Sequence, residues 1–204
     1  MRLLQVLLLV FISFVLTACQ QMAPSTASAT SPSTISPSWS QRKIALTRLQ
    51  QWQLNGKIAV QTAQDAGSAS VDWLQAGKQY TISLFGPLGT HGMKLQGHPQ
   101  QVTLTFADGK QYNANNPEEL LAQQWGFRVP VSYLHYWIRG LPVPMVATNT
   151  MQFDDQHRLS SLSQQEWQVQ FLGYTRVGTM DLPEKITITS AALKTKIVIY
   201  QWRV

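Results

Sequence analysis

The chain has 204 residues and a formal charge of +6, with sixteen Lys and Arg against ten Asp and Glu. Basic residues such as Lys57, Lys78, Lys94, Lys110, Lys185, Lys194 and Lys196 are dispersed along the sequence, which excludes a nucleic-acid patch built from a run of cations. A single cysteine, Cys19, excludes a disulfide framework.

Met1-Arg2 is a minimal charged start, and Leu3 to Leu16 is apolar apart from Gln5 and Ser13. This is secretory-signal architecture and is short for a membrane span. The run Leu16-Thr17-Ala18-Cys19 resembles the lipobox of bacterial lipoproteins. That resemblance implies cleavage before Cys19 and acylation of its thiol, with residues 1–18 as signal peptide. Gln20, where Asp often marks inner-membrane retention in such lipoproteins, implies the outer membrane. From Ala23 to Ser38 every residue except Ile35 is Ala, Ser, Thr or Pro. Residues 19–37 therefore read as an acylated start and a flexible tether, with a reach of roughly 20–25 Å. Residues 38–204 read as one domain. Without Arg2 the mature chain carries fifteen basic and ten acidic residues, formally +5.

Ser38 to Gln53 has helical spacing, with Ile44, Leu49 and Trp52 as its apolar positions. Alternation then takes over. Leu54, Ile58 and Val60 share one face, as do Ala69, Val71 and Trp73. The same holds for Tyr80, Ile82 and Leu84, for Met93 and Leu95, and for Val102, Leu104 and Phe106. Period two with one wet face predicts an antiparallel meander, and Asp108-Gly109 predicts a hairpin. Asn116-Pro117-Glu118-Glu119 predicts a helix start carrying Leu120, Leu121 and Trp125, stopped at Gly126. A second short helix, Val131 to Arg139, carries Leu134, Trp137 and Ile138 and ends at Gly140. Strand signals return at Thr148–Phe153, Arg158–Ser163, Trp167–Phe171, Lys185–Thr189 and Lys194–Arg203, with a turn at Asp154-Asp155. The Gly173 to Gly178 segment reads as a mobile loop. The predicted fold is mainly β: a curved, partly closed antiparallel sheet of about ten strands, with helices over its apolar concave face. Such a face either lines a cavity or interdigitates as a solid core. By periodicity alone the solid core is the simpler reading.

Chemistry-bearing motifs are scarce. His91, His98, His135 and His157 lack metal-site spacing, and Gly-x-Ser-x-Gly elbows and phosphate loops are absent. His135, on a helix among aromatics, reads as a hydrogen-bonded lid residue. Glu118 and Glu119 read as dipole-compatible residues. No enzymatic activity, cofactor or metal is expected. The stretch Phe85-Gly86-Pro87-Leu88-Gly89-Thr90 predicts a hairpin loop in which Leu88 has no role in turn chemistry. Leu88 either folds back on the sheet or forms a hydrophobic finger. Fully burying one Leu contributes about 1.5–3 kcal/mol, enough to bias a tethered domain toward a membrane and too little to anchor it.

Five stretches carry a family resemblance: Leu54-Asn55-Gly56-Lys57-Ile58-Ala59, Ser70-Val71-Asp72-Trp73, Phe85-Gly86-Pro87-Leu88-Gly89, Asn116-Pro117-Glu118-Glu119-Leu120 and Tyr136-Trp137-Ile138-Arg139-Gly140-Leu141-Pro142. In this order, behind a lipobox, they resemble the LolB family of outer-membrane lipoprotein receptors. The resemblance implies an open, incomplete antiparallel β-barrel of about ten to eleven strands, with a helical lid over an apolar cavity that holds acyl chains. It also implies a LolA-like periplasmic carrier, acylated cargo lipoproteins and outer-membrane lipid as partners. A monomer and no nucleic acid are expected. By the same resemblance Gly86, Pro87, Leu88 and Gly89 form a membrane-insertion loop led by Leu88. The alternation assigns the cavity wall to Ile58, Val60, Val71, Trp73, Tyr80, Ile82, Leu84, Met93, Leu95, Ile186 and Ile188. The lid falls to Leu120, Leu121, Trp125, Leu134, Trp137 and Ile138. Two other classes stay open: an envelope scaffold with a filled core, and a hydrolase with dispersed catalytic groups.

Overall fold

The computed structural model describes residues 37–86 and 92–204. Helix α1 (Trp39–Arg48) begins at a reciprocal cap: the Ser38 hydroxyl accepts from the Gln41 N–H at 3.4 Å, and Gln41 Oε1 accepts from the Ser38 N–H at 2.9 Å. The helix ends at Arg48, well short of the expected Gln53, because Leu49 is already extended and Trp52 belongs to a strand. Burial decides this. Trp52 is packed against Trp73 and Trp202, with ring centroids 5.2 and 5.4 Å away. The buried side of α1 also differs from expectation. Ile44 is exposed, whereas Leu46 and Arg42 face inward, Arg42 pairing with Asp181 at 2.9 Å.

Eleven strands follow in one antiparallel sheet: β1 (Gln51–Gln61), β2 (Ala66–Ala76), β3 (Gln79–Phe85), β4 (Met93–His98), β5 (Gln101–Phe106), β6 (Gln111–Ala114), β7 (Thr148–Phe153), β8 (Leu159–Gln164), β9 (Trp167–Val177), β10 (Met180–Thr189) and β11 (Lys194–Arg203). Their spatial order is β6-β5-β4-β3-β2-β1-β11-β10-β9-β8-β7. Two meanders are thus joined by pairing of the first strand with the last, and β6 and β7 remain free edges. The sheet is an open barrel, as the family resemblance implied, and its strands are antiparallel, as the alternation predicted. The Gly173 to Gly178 segment is not a loop. Tyr174, Thr175, Arg176 and Val177 continue β9, paired with Pro183, Leu182, Asp181 and Met180, and Gly178 at φ +57° turns the chain into β10. Glycines at both ends of the segment suggest freedom, but the stack of Phe171 on Tyr174 and this ladder hold it extended.

Two helices carry the chain between the free edges. In α2 (Pro117–Trp125), Asn116 Oδ1 accepts from the Glu119 N–H at 2.7 Å, and Gly126 at φ +76° ends the helix. Helix α3 (Val131–Trp137) has Pro130 at its cap and no capping side chain of its own. Glu118 of α2 takes that role: its Oε1 accepts from the Ser132 N–H at 2.7 Å and couples the two helices.

Behind α3 the sheet is filled. Trp137 is fully buried, lies 6.1 Å from Trp167 and donates through Nε1 to Gln164 Oε1 at 3.1 Å. Gln164 is itself fully buried and serves the irregular stretch after α3. It accepts from the Val143 N–H at 2.8 Å and donates to the carbonyls of Val143 (3.0 Å) and Val146 (3.1 Å). The interior is therefore neither all hollow nor all solid. Gln164→Leu keeps the volume but orphans the Trp137 and Val143 donors, each at about 1–3 kcal/mol. We expect a loss of several kcal/mol, read as a lower urea midpoint with unchanged m-value.

Candidate functional site: an apolar cavity under a helical lid

A cavity of about 540 Å³ lies between the first meander and the two helices. This is within the usual range for small-ligand sites. Ile58 and Val60 of β1, Val71 and Trp73 of β2, Ile82 and Leu84 of β3, and Met93 and Leu95 of β4 line its wall. Leu121, Trp125, Leu134 and Ile138 line it from the helices. Asp65, at the β1–β2 hairpin, is the one titratable side chain among the described lining residues, and Thr62, Ser68 and Gln124 add the other polar groups.

Several expected positions fall elsewhere. Ile186 and Ile188 of β10 are fully buried on the filled side of the sheet and do not reach the cavity, because aromatic side chains such as Trp137 and Trp167 occupy that half. Tyr80 shares the face of Ile82, but its ring lies across Gly97 of β4, in the space a Cβ there would need. Its hydroxyl is buried without a hydrogen-bond partner among the described residues, and that burial raises its pKa. Leu120 and Trp137 are sealed in the core beneath the lid. Gly86 follows the end of β3. Pro87, Leu88, Gly89 and Cys19 lie outside the described residues.

Other lining residues were missed. Leu54, Ala69 and Ile197 sit on alternating strands already recognised, so the same period-two argument, extended to β11 and to small residues, finds them. Phe127 and Val129 lie in the irregular link between the helices, and periodicity carries no signal there.

The lid is held by one buried cation. Arg139, 2 % exposed, follows α3 and donates through Nη1 to the carbonyls of Leu46 (3.1 Å) and Leu49 (2.9 Å). These carbonyls lie at the negative end of α1, a favourable place for a guanidinium. Its Nε donates to the His135 carbonyl at 3.0 Å, and Nη2 lies 2.9 Å from His135 Nε2. Burial pulls the Arg139 pKa down to about 10, still well above neutrality. Burial, then the nearby Arg139 charge, pulls that of His135 down to about 4. His135 is therefore neutral at physiological pH and presents an acceptor to Arg139, as expected for a hydrogen-bonded lid residue.

An open antiparallel sheet with a helical lid over an apolar hollow is the geometry of a binding site for an apolar ligand. The family model described as "Outer membrane lipoprotein LolB" matches residues 50–202. An outer-membrane lipoprotein LolB from Pseudomonas putida is 39% identical over 165 residues, covering 81% of this chain and 80% of the relative. The same-named protein from Pseudomonas fluorescens is 40% identical over 164 residues, covering 80% of each. The chain belongs to the outer-membrane lipoprotein LolB family. Its fold is also similar to a solved LolA-superfamily protein from Nitrosomonas europaea, with a TM-score of 0.50 at 6% identity, covering 77% of this chain and 87% of that one. A DUF1329-family protein from Desulfovibrio piger gives a TM-score of 0.51 at 6% identity, with 81% and 90% covered.

Two measurements test this site. The unfolded chain takes up the His135 proton near the usual 6.5, before the folded chain does at about 4. Stability should therefore fall as pH drops through that window. His135→Gln, which keeps an acceptor but cannot titrate, should flatten the fall in a thermal-melt series. Ala69→Phe should leave the melt near wild type but weaken binding of an environment-sensitive naphthalene dye. Losing about one leucine's worth of apolar contact, 1.5–3 kcal/mol, corresponds to at least about tenfold.

Proposed function

We propose that the chain accepts acylated lipoproteins from a LolA-like periplasmic carrier, shelters their acyl chains in the cavity, and inserts them into the outer membrane. Family membership supports receptor and outer-membrane assignments, and the apolar hollow carries the acyl-chain reading. Each exposed CH₂ of a lipid chain costs about 0.8 kcal/mol in water, so cargo crosses the periplasm only if shielded. The wall and lid supply that shield with almost no polar group to desolvate. Transfer then needs a downhill series: carrier cavity, this cavity, bilayer.

In this reading Cys19 carries the anchoring acyl groups, residues 19–37 are the tether, and residues 38–204 are the receptor domain. The domain acts as a monomer and binds no nucleic acid. Leu88, in the Gly86-Pro87-Leu88-Gly89 stretch, enters lipid and couples cavity emptying to insertion. A filled-core scaffold has no use for the hollow. A hydrolase needs convergent titratable groups, and Asp65 stands alone among the described lining residues.

The test is transfer itself. Residues 38–204 are mixed with a carrier loaded with an acylated lipoprotein, and cargo is followed by co-purification. One-way, stoichiometric transfer is expected, and no transfer to a verifiably folded domain would reject the receptor role. Leu88→Glu in the full chain should leave reception intact and reduce cargo insertion into vesicles by at least about tenfold, a penalty for placing a charge among acyl chains of about 2.5–3.5 kcal/mol. Normal insertion by that variant would reject the finger.

A further inference from the structure

Lysines dispersed in the sequence are gathered on the outer face of the sheet. Strands β1, β11 and β10 are neighbours, and the register sets Lys57 opposite Val198, with Lys185 opposite Val198 on the other side. Lys196 lies between Ala59 and Thr187, and Lys194 between Gln61 and Thr189. Paired residues share a face and successive residues alternate, so these four lysines project away from the face of Ile58 and Ile197 that lines the cavity. Strand and residue spacings put all four within about 15 Å. Lys57, Lys194 and Lys196 are exposed, and Lys185 is half-buried.

No ion pair among the described residues neutralises the lattice: Asp72, one step along β2 on the same face, accepts instead from the amides of Gln53 and Asn55. Among the described residues the ion pairs use Arg42, Lys110, Arg158 and Arg176, and none of these four lysines. The flanking positions are Ser68 and Ser70 of β2 and Gln168 and Gln170 of β9. Glu184 lies over Gly173, the cross-strand partner of Lys185, without forming an ion pair with that lysine. Four like charges held this close repel one another, and an anionic surface relieves that repulsion.

The position of the lattice points to the nature of that surface. The Lys57 row continues through Ser70 to Phe85, which is 42% exposed at the end of β3 on the same outer face. Beyond that row the lattice runs toward the β1–β2 hairpin, where Thr62 and Asp65 border the cavity. A cationic field with an aromatic ring at its margin fits a bilayer, where amines meet headgroup phosphates and rings sit at the interface. We propose that the Lys57, Lys185, Lys194 and Lys196 lattice docks on anionic phospholipid headgroups and turns the hairpin end of the cavity toward the bilayer. The orientation rests on the receptor reading above; the docking itself does not.

The experiment uses the full acylated protein in vesicles, with amine-acetylation footprinting of each lysine by mass spectrometry. On vesicles of phosphatidylethanolamine and phosphatidylglycerol, Lys57, Lys194 and Lys196 should react on the order of fivefold more slowly than on phosphatidylcholine vesicles. Lys78, in the turn at the opposite end of β2, should be unaffected. Protection should vanish near 1 M salt, where the Debye length is about 3 Å. Equal reactivity on both vesicles overturns the proposal. So does protection by a cargo-loaded carrier without lipid when lipid gives none, which would mark a protein dock. The triple variant Lys57→Gln, Lys194→Gln, Lys196→Gln should accept cargo as the parent does and release it at least about tenfold more slowly to anionic vesicles, with no difference on phosphatidylcholine. Equal release on anionic vesicles also overturns the proposal. Failure of reception by parent and variant alike would count against the receptor reading, while the footprint would still decide the lysine face.

Discussion

The pairing of β1 with β11 is the constraint on which the rest of the structure depends. It joins the first and last strands of the domain, so two local meanders become one sheet with free edges far apart in order. The close approach is specific. A Cβ on Gly56 would run into the Val198 carbonyl, and the register shifts at Asn55/Gly56. Around this seam Trp52, Trp73 and Trp202 pack edge to face and tilted, which ties the α1–β1 junction to both meanders. Because β6 and β7 stay apart, α2 and α3 can cross the interior between them. A closed barrel would leave them no entry.

The interior then divides by what the helices bring. On the second meander α3 inserts Trp137 against Trp167, and β10 contributes Ile186 and Ile188 to a packed core. On the first meander the helices contribute a rim of side chains that stop short of the wall. Close packing there would gain dispersion and apolar burial, so the hollow is a sacrifice of stability that only a ligand recovers. The packed half, with Gln164 satisfying its polar groups, supplies the rigidity that lets the other half stay open.

Holding the lid is a matter of polar satisfaction more than apolar area. Glu118 caps α3 from α2, and Arg139 ties the end of α3 to the end of α1. Arg139 has no carboxylate partner among the described residues. It is held by three backbone carbonyls and a neutral His135, an arrangement that spreads its charge over oriented dipoles and keeps the site free of a second ion.

The sequence by itself determined most of the strands, the two lid helices, the fold class and eight of the eleven expected wall positions, because period-two alternation is a local property and each strand carries its own face assignment. It also determined the family, through short stretches whose order survives in the chain. Tertiary structure decided which apolar faces meet a neighbour and which meet space. Ile186 and Ile82 have the same local pattern, yet one is packed and the other lines the cavity, because the difference lies in what α3 places opposite them. It decided that Trp52 is a strand residue, since three tryptophans bury one another only in that register. It decided, too, that four lysines scattered over some 140 positions of sequence stand together on one surface, because antiparallel register converts sequence distance into contact.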